Sequence, residues 1–192
     1  DDIELATGLV INEIMQNPAA VSDAVGEWIE ITNISDNDIN LNGLILKDND
    51  GEEHIISDNN LVIEPDAFLV LGANDDLSLN GGVSVDYEYN GFTLSNLWDE
   101  VIVAHPSGEI LDEVYYDNGE TFPDESGRTM MLLNPVLDNS LGENWAVADI
   151  VFGSGDYGTP GEENYSDDCG DSLGDMNGDG GYNVLDVVAL VN

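Results

Sequence analysis

Positive charge is what this chain most lacks. Lys47 and Arg128 are its two basic residues against 41 acidic ones, a formal charge of −39 over 192 residues. Such a surface repels nucleic acid and anionic membrane, and self-repulsion works against the compact state unless cations screen it. Divalent cations or high salt are therefore expected in its surroundings, although an acidic surface that serves solubility alone gives the same composition. Cysteine is scarcer still: Cys169 stands alone, so no disulfide can form within these residues. It reads either as a free thiol or as half of a bond to a partner further along a longer chain. No apolar run approaches the ~20 residues that cross a bilayer, so no membrane span is expected. Asp1-Asp2 opens the sequence without Met, as after removal of a secretion signal or at a fragment boundary. An extracellular or cell-surface location is the expectation.

Catalytic groupings are missing as well. The sequence has no G-x-S-x-G, no H-E-x-x-H and no phosphate-cradling glycine loop. His54 and His105 have no metal-binding spacing and read as exposed loop residues. Arg128, in S-G-R-T, is a candidate clamp for a carboxylate ligand, but an internal ion pair is the better reading for a lone arginine among so many acids. Trp28, Trp98 and Trp145 are too scattered to form a carbohydrate platform and read as core or edge packing. The chain is therefore expected not to be an enzyme.

What is present is a core built in short pieces. Hydrophobic residues make up 42% of the chain, which sets disorder aside. Ile29 and Ile31 alternate with Glu30 and Thr32, and Val85, Tyr87 and Tyr89 alternate with Asp86 and Glu88. This is the period of two that strands show. Asp50-Gly51, Asn80-Gly81, Asn90-Gly91, Ser107-Gly108 and Asn118-Gly119 supply turns between them. Roughly seven to nine such strands predict an all-β, immunoglobulin-like sandwich over residues 9 to 153, after an N-terminal segment 1 to 8. The composition then shifts to Gly, Asp, Ser and Glu, which predicts an acidic linker over 154 to 174. Asp36/Asp38, Asp75/Asp76 and Asp99/Glu100 are read as loop acids able to meet at one end of the sandwich. The stretch Asp48-Asn49-Asp50-Gly51-Glu52 is read as a hairpin turn.

The order of the motifs is also informative. L-V-I-N-E-I-M (9 to 15), G-E-W-I-E-I-T-N-I-S (26 to 35) and L-N-G-L-I-L-K-D (41 to 48) come first. I-E-P-D-A-F-L-V-L, L-S-N-L-W-D-E-V-I-V, D-E-S-G-R-T-M, Asn144-Trp145 and G-T-P-G-E-E-N follow. This order resembles the lamin tail domain over about residues 8 to 165. The resemblance implies an immunoglobulin-like sandwich and, given the charge and the lack of a coiled coil, the kind carried by secreted bacterial proteins as an accessory or adhesive module.

A separate motif closes the chain. D-M-N-G-D-G-G-Y-N-V-L-D (175 to 186) places oxygen donors at loop positions one, three, five, nine and twelve, with glycine at six. Calcium takes six to eight hard oxygen ligands on such a wrapped loop. Asp175, Asn177, Asp179, the Gly181 carbonyl, Asn183 and Asp186 are the expected ligands. An acidic turn is the plain alternative. An apolar run from Val184 predicts a short helix behind the loop, so residues 175 to 192 read as a calcium loop-helix half-hand. The loop resembles a dockerin repeat, entered from a Gly-rich coil and with Asp at twelve. Dockerins usually carry two repeats and many bind cohesin modules; here one repeat is visible, and positions ten and eleven are Val184 and Leu185 where polar contacts are common.

Together these features predict a secreted, calcium-binding, non-catalytic adhesion or anchoring module of an extracellular protein. Its partner is expected to be protein, through self-association or a cell-surface or cohesin-like receptor. A repeating subunit of an extracellular filament or surface layer, and an accessory domain of a larger secreted hydrolase, are the other readings.

Overall fold

A computed structural model describes residues 8–165 of the chain. Its elements in order begin with β1 (Leu9–Met15), a single helical turn α1 (Asp23–Gly26), β2 (Trp28–Asn33) and β3 (Ile39–Asn40). Next come β4 (Ile45–Lys47), β5 (Glu53–Ile55), β6 (Val62–Ile63), β7 (Phe68–Gly72) and β8 (Tyr87–Glu88). Then follow β9 (Trp98–Ala104), β10 (Ile110–Asp117), β11 (Met130–Leu132), β12 (Trp145–Val147), β13 (Val151–Phe152) and β14 (Asp156–Tyr157). Among the described residues, the regular elements are strands apart from α1 and one 3-10 turn at Gly142–Asn144.

Two sheets carry the fold. The larger runs β12-β11-β1-β2-β7-β8 and the smaller β10-β9-β4-β5. Ile14, Ile29, Ile31, Leu69 and Leu71 of the larger sheet meet Leu46, Val101, Val103 and Val114 of the smaller in one buried cluster. This is the packing of a two-layer sandwich, consistent with the immunoglobulin-like class. Fully burying one such aliphatic side chain is worth about 1.5–3 kcal/mol, so the inward half of each strand supplies the main driving force.

Alternation along β2 places Ile29 and Ile31 in this core as the sequence implies, yet all six β2 residues are buried. The reason is a third layer. Met15, Trp28, Val70 and Val83 form a second buried cluster on the outer face of the larger sheet. Phe152 of the β13–β14 hairpin meets Trp28 edge-on, with ring centroids 6.0 Å apart. The chain from Val151 to Tyr165 thus belongs to the fold, and the expected linker boundary after residue 153 falls inside the β13–β14 hairpin.

One irregularity decides what faces this outer layer. The β1–β2 pairing shifts between Ile11 and Glu13, so Asn12 is an extra residue in β1. Strict alternation would turn Glu13 into the core and Ile14 out. The bulge reverses that, sending Ile14 inward and Glu13 outward. A second shift in the β9–β10 pairing lies between Ile110 and Asp112. There Asp112 Oδ2 accepts the Ile11 N–H at 2.6 Å and the Asn139 amide at 2.7 Å, tying the edge strand β10 to β1.

Candidate functional site

The bulge at Asn12 sets Glu13 directly opposite Glu30 on the outer face of the larger sheet, and both are fully buried. Directly opposed residues have Cβ atoms about 4.5–5.5 Å apart, where like charges repel. The run from Gly158 to Asn164 crosses above them. Glu13 Oε1 accepts from the Thr129 hydroxyl and from the Thr159 N–H, the latter at 2.9 Å. Glu30 accepts the Gly161 N–H at 2.6 Å and the Asn12 amide at 2.8 Å. Asn164 Nδ2 donates to the carbonyls of Asn12 and Leu132, both at 2.9 Å. Gly158 lets the run approach so closely: a Cβ there would stand 2.8 Å from Glu13 Oε1.

Proton counting agrees with the electrostatics. The Thr159 hydroxyl lies 2.9 Å from Asn164 Oδ1 and 3.2 Å from Glu13 Oε2, but it has one proton to give. A proton on Glu13 completes both bonds. Burial pushes the Glu13 carboxyl up to about 7. Burial, with the charge of Glu13 adding to it, pushes Glu30 up to about 8. Near neutral pH the pair holds protons that ordinary carboxylates have lost.

The sequence motifs converge on this clasp. I-N-E-I provides Asn12 and Glu13, W-I-E-I provides Glu30, S-G-R-T provides Thr129, and G-T-P-G-E-E-N provides Thr159, Gly161 and Asn164. Arg128 stands next to it with its guanidinium 3.9 Å from the centre of the Tyr157 ring, and it donates to the Ala148 carbonyl at 2.7 Å. Its ion pair is with the exposed Glu125 at 3.4 Å, a surface contact and not one inside the sandwich. Nothing in the hydropathy pattern marks Glu13 and Glu30 as partners. The available signal is the break in period at Asn12-Glu13 within an otherwise apolar strand.

A second group of acids lies at one end of the sandwich. Glu27 is buried and its Oε2 accepts the Leu94 N–H at 2.9 Å. Burial, then the charges of Asp23, Asp99 and Glu52, raise it to about 7. Asp99 and Glu100, expected in a loop, belong to β9. Burial pushes Asp99 up as well, with Asp48 and Glu52 adding to the effect. Asp48 Oδ1 accepts the N–H groups of Gly51 and Glu52 at 2.8 and 2.9 Å, and Gly51 has φ 104°, so this stretch is the hairpin turn the sequence implies. Among the described residues no three acidic, histidine or cysteine side chains are placed to hold a metal ion.

Of the two histidines, His54 needs correction. His54 is on β5 and only 9% exposed, with Nε2 2.8 Å from the Tyr87 hydroxyl and Nδ1 3.0 Å from the Asn90 carbonyl. Its hydrogen bonds cross-link β5 to the chain around β8. His105 is half-buried just after β9, 2.7 Å from the Ser107 hydroxyl. Trp28 and Trp145 are core residues, whereas Trp98 is 67% exposed. The predicted calcium ligands Asp175, Asn177, Asp179, Gly181, Asn183 and Asp186 lie outside the described residues, as does Cys169. Among the described residues no helix is long and apolar enough to cross a membrane.

A family model for the lamin tail domain matches residues 5–118. No curated protein matches the chain. Thr129, Thr159, Gly161 and Asn164 of the clasp lie beyond the matched residues. The match spans more than half of the sequence, and the chain belongs to the lamin tail domain family.

Proposed function

We propose that this lamin tail domain protein works outside the cell as a non-catalytic anchoring module whose grip depends on calcium. The sandwich is the rigid body, and residues 175 to 192 are the calcium-dependent attachment, a dockerin-like loop and helix reached through the acidic stretch before them. The observation that carries this reading is the use made of the buried acids. Glu13, Glu27, Glu30 and Asp112 each accept a backbone N–H from a distant segment, at Thr159, Leu94, Gly161 and Ile11. Groups of raised proton affinity are often the reactive ones in an enzyme; here they fasten the fold, as suits a body that transmits force.

Support for calcium comes from donor chemistry. Asp175, Asn177, Asp179, the Gly181 carbonyl, Asn183 and Asp186 offer hard oxygens in the order such loops use, and an ion there offsets part of the −39 charge. Calorimetry with calcium on the 1–192 chain tests the reading. A calcium heat that vanishes in Asp175→Ala/Asp179→Ala supports it, and its absence from the parent chain overturns it. Light scattering with and without calcium then separates an anchor, which stays monomeric, from a filament subunit, which assembles.

A further inference from the structure

We propose that the outer face of the smaller sheet, around Trp98 and Tyr115, is a docking surface for an arginine-bearing segment of a protein partner. The register places these two side chains on one face. Tyr115 is directly opposite Glu100, Trp98 is opposite Asp117, and Glu113 is opposite Ile102. Opposed residues share a face, as do residues two apart on a strand. Trp98, Glu100, Glu113 and Tyr115 therefore share the outer face, on which Ile102 is buried and the two glutamates are half-buried, while Val101, Val103, Val114 and Tyr116 between them point into the core.

Trp98 and Tyr115 are 67% and 44% exposed; for a tryptophan this is unusual here, because Trp28 and Trp145 are both buried. Polar groups hold the site in shape without covering it. Asn49 Nδ2 donates to the Tyr115 hydroxyl at 3.2 Å, and that hydroxyl donates to Glu113 Oε2 at 3.2 Å. Glu100 Oε2 accepts the Asn49 N–H at 3.4 Å. The result is two exposed aromatic side chains flanked by carboxylates.

Charge selects the occupant. Acids beside the rings and −39 overall exclude an anionic ligand. A neutral ligand can donate hydrogen bonds to Glu100 and Glu113 but gains no charge attraction from them. A guanidinium uses both features, lying on an aromatic face while its N–H fork bonds a carboxylate. Lysine has the charge without the planar fork, so arginine is the better fit. Lys47 shares this face, but Glu53 stands opposite it on β5. Trp, Tyr and Arg are also the residues that dominate binding energy in protein interfaces.

This inference deepens the anchoring reading, on which it rests, yet it fails separately, because it involves none of the calcium ligands. The test titrates the 1–192 chain with hexa-arginine, hexa-lysine and a neutral cello-oligosaccharide at about 0.15 M salt, where long-range charge effects are largely screened. Hexa-arginine should bind more tightly than hexa-lysine and quench tryptophan fluorescence. Trp98→Ala should weaken it about tenfold, whereas Leu79→Ala, at another exposed apolar residue, leaves it unchanged. Glu113→Gln, which keeps the side chain's shape, provides the same test should Trp98→Ala melt early. Equal binding by these variants and the parent would mean general charge attraction alone and would overturn the proposal. So would preferential binding of the oligosaccharide, which would make the rings a glycan platform.

Discussion

Glu13 and Glu30 face each other across neighbouring antiparallel strands with no solvent access to either. Two opposed carboxylates in an apolar layer are tolerated because each is bonded to the same covering run, through Thr159 and Gly161. Their repulsion is relieved by protons near neutral pH and returns when those protons leave.

Stability should accordingly fall as pH rises. The folded-state pKa values, about 7 for Glu13 and about 8 for Glu30, lie above the ordinary 4.5, so the folded chain binds more protons than the unfolded one between those limits. The stabilisation is complete below about 4.5 and is lost through 7 to 8. Thermal melts from pH 5 to 9 should show a decline of several degrees. Glu30→Gln should leave the melting point near pH 5 almost unchanged and raise it at pH 9. With the Asn12 side-chain amide turned over, the new amide nitrogen donates to Asn12 Oδ1, replacing the bond that Glu30 now accepts from Asn12 Nδ2. A parent chain as stable at pH 9 as at pH 5 contradicts the protonated pair.

Gly158 should not accept a side chain. A Cβ there meets Glu13 Oε1 at 2.8 Å and the Thr129 methyl at 3.0 Å. Gly158→Ala is expected to cost about 1–3 kcal/mol, as overpacking does. Denaturant unfolding measures the loss, and hydrogen exchange should show faster exchange over residues 158 to 165.

Removing Ile29 tests the inner core. It is wholly buried between the sheets, so Ile29→Ala should cost about 2–5 kcal/mol. Trp98→Ala, on the open face, should stay within about 0.5 kcal/mol of the parent. Equal losses in the two would mean that Trp98 is covered by protein after all.

Salt and calcium should act independently. Sodium chloride screens the acidic surface, so the melting temperature should rise with it even in Asp175→Ala/Asp179→Ala. Calcium should add a further rise only in the parent, with a dissociation constant of the order of 10⁻⁴–10⁻³ M, as in extracellular modules. A calcium response that survives the double substitution moves the ion elsewhere.

The sequence makes the inner half of this fold legible and the outer half much less so. Ile29 and Ile31 declare their face by alternation, and Asp48 to Glu52 declares its turn by composition. Glu30 does not declare that it is buried, because its cover arrives from more than a hundred residues away. Residues 154 to 165 read as linker for a related reason: they are held by hydrogen bonds to Glu13, Glu30 and Asn12, and such bonds leave no trace in hydropathy. Trp98 is the reverse case, an aromatic read as core or edge packing that the β9–β10 register turns outward.

Asn164 has a mechanical consequence. Its amide nitrogen bonds the carbonyls of Asn12 on β1 and Leu132, the last residue of β11. Tension applied to the chain beyond Tyr165 reaches this side chain before it reaches the run above the glutamates. The load is then divided between two adjacent strands of the larger sheet instead of falling on one.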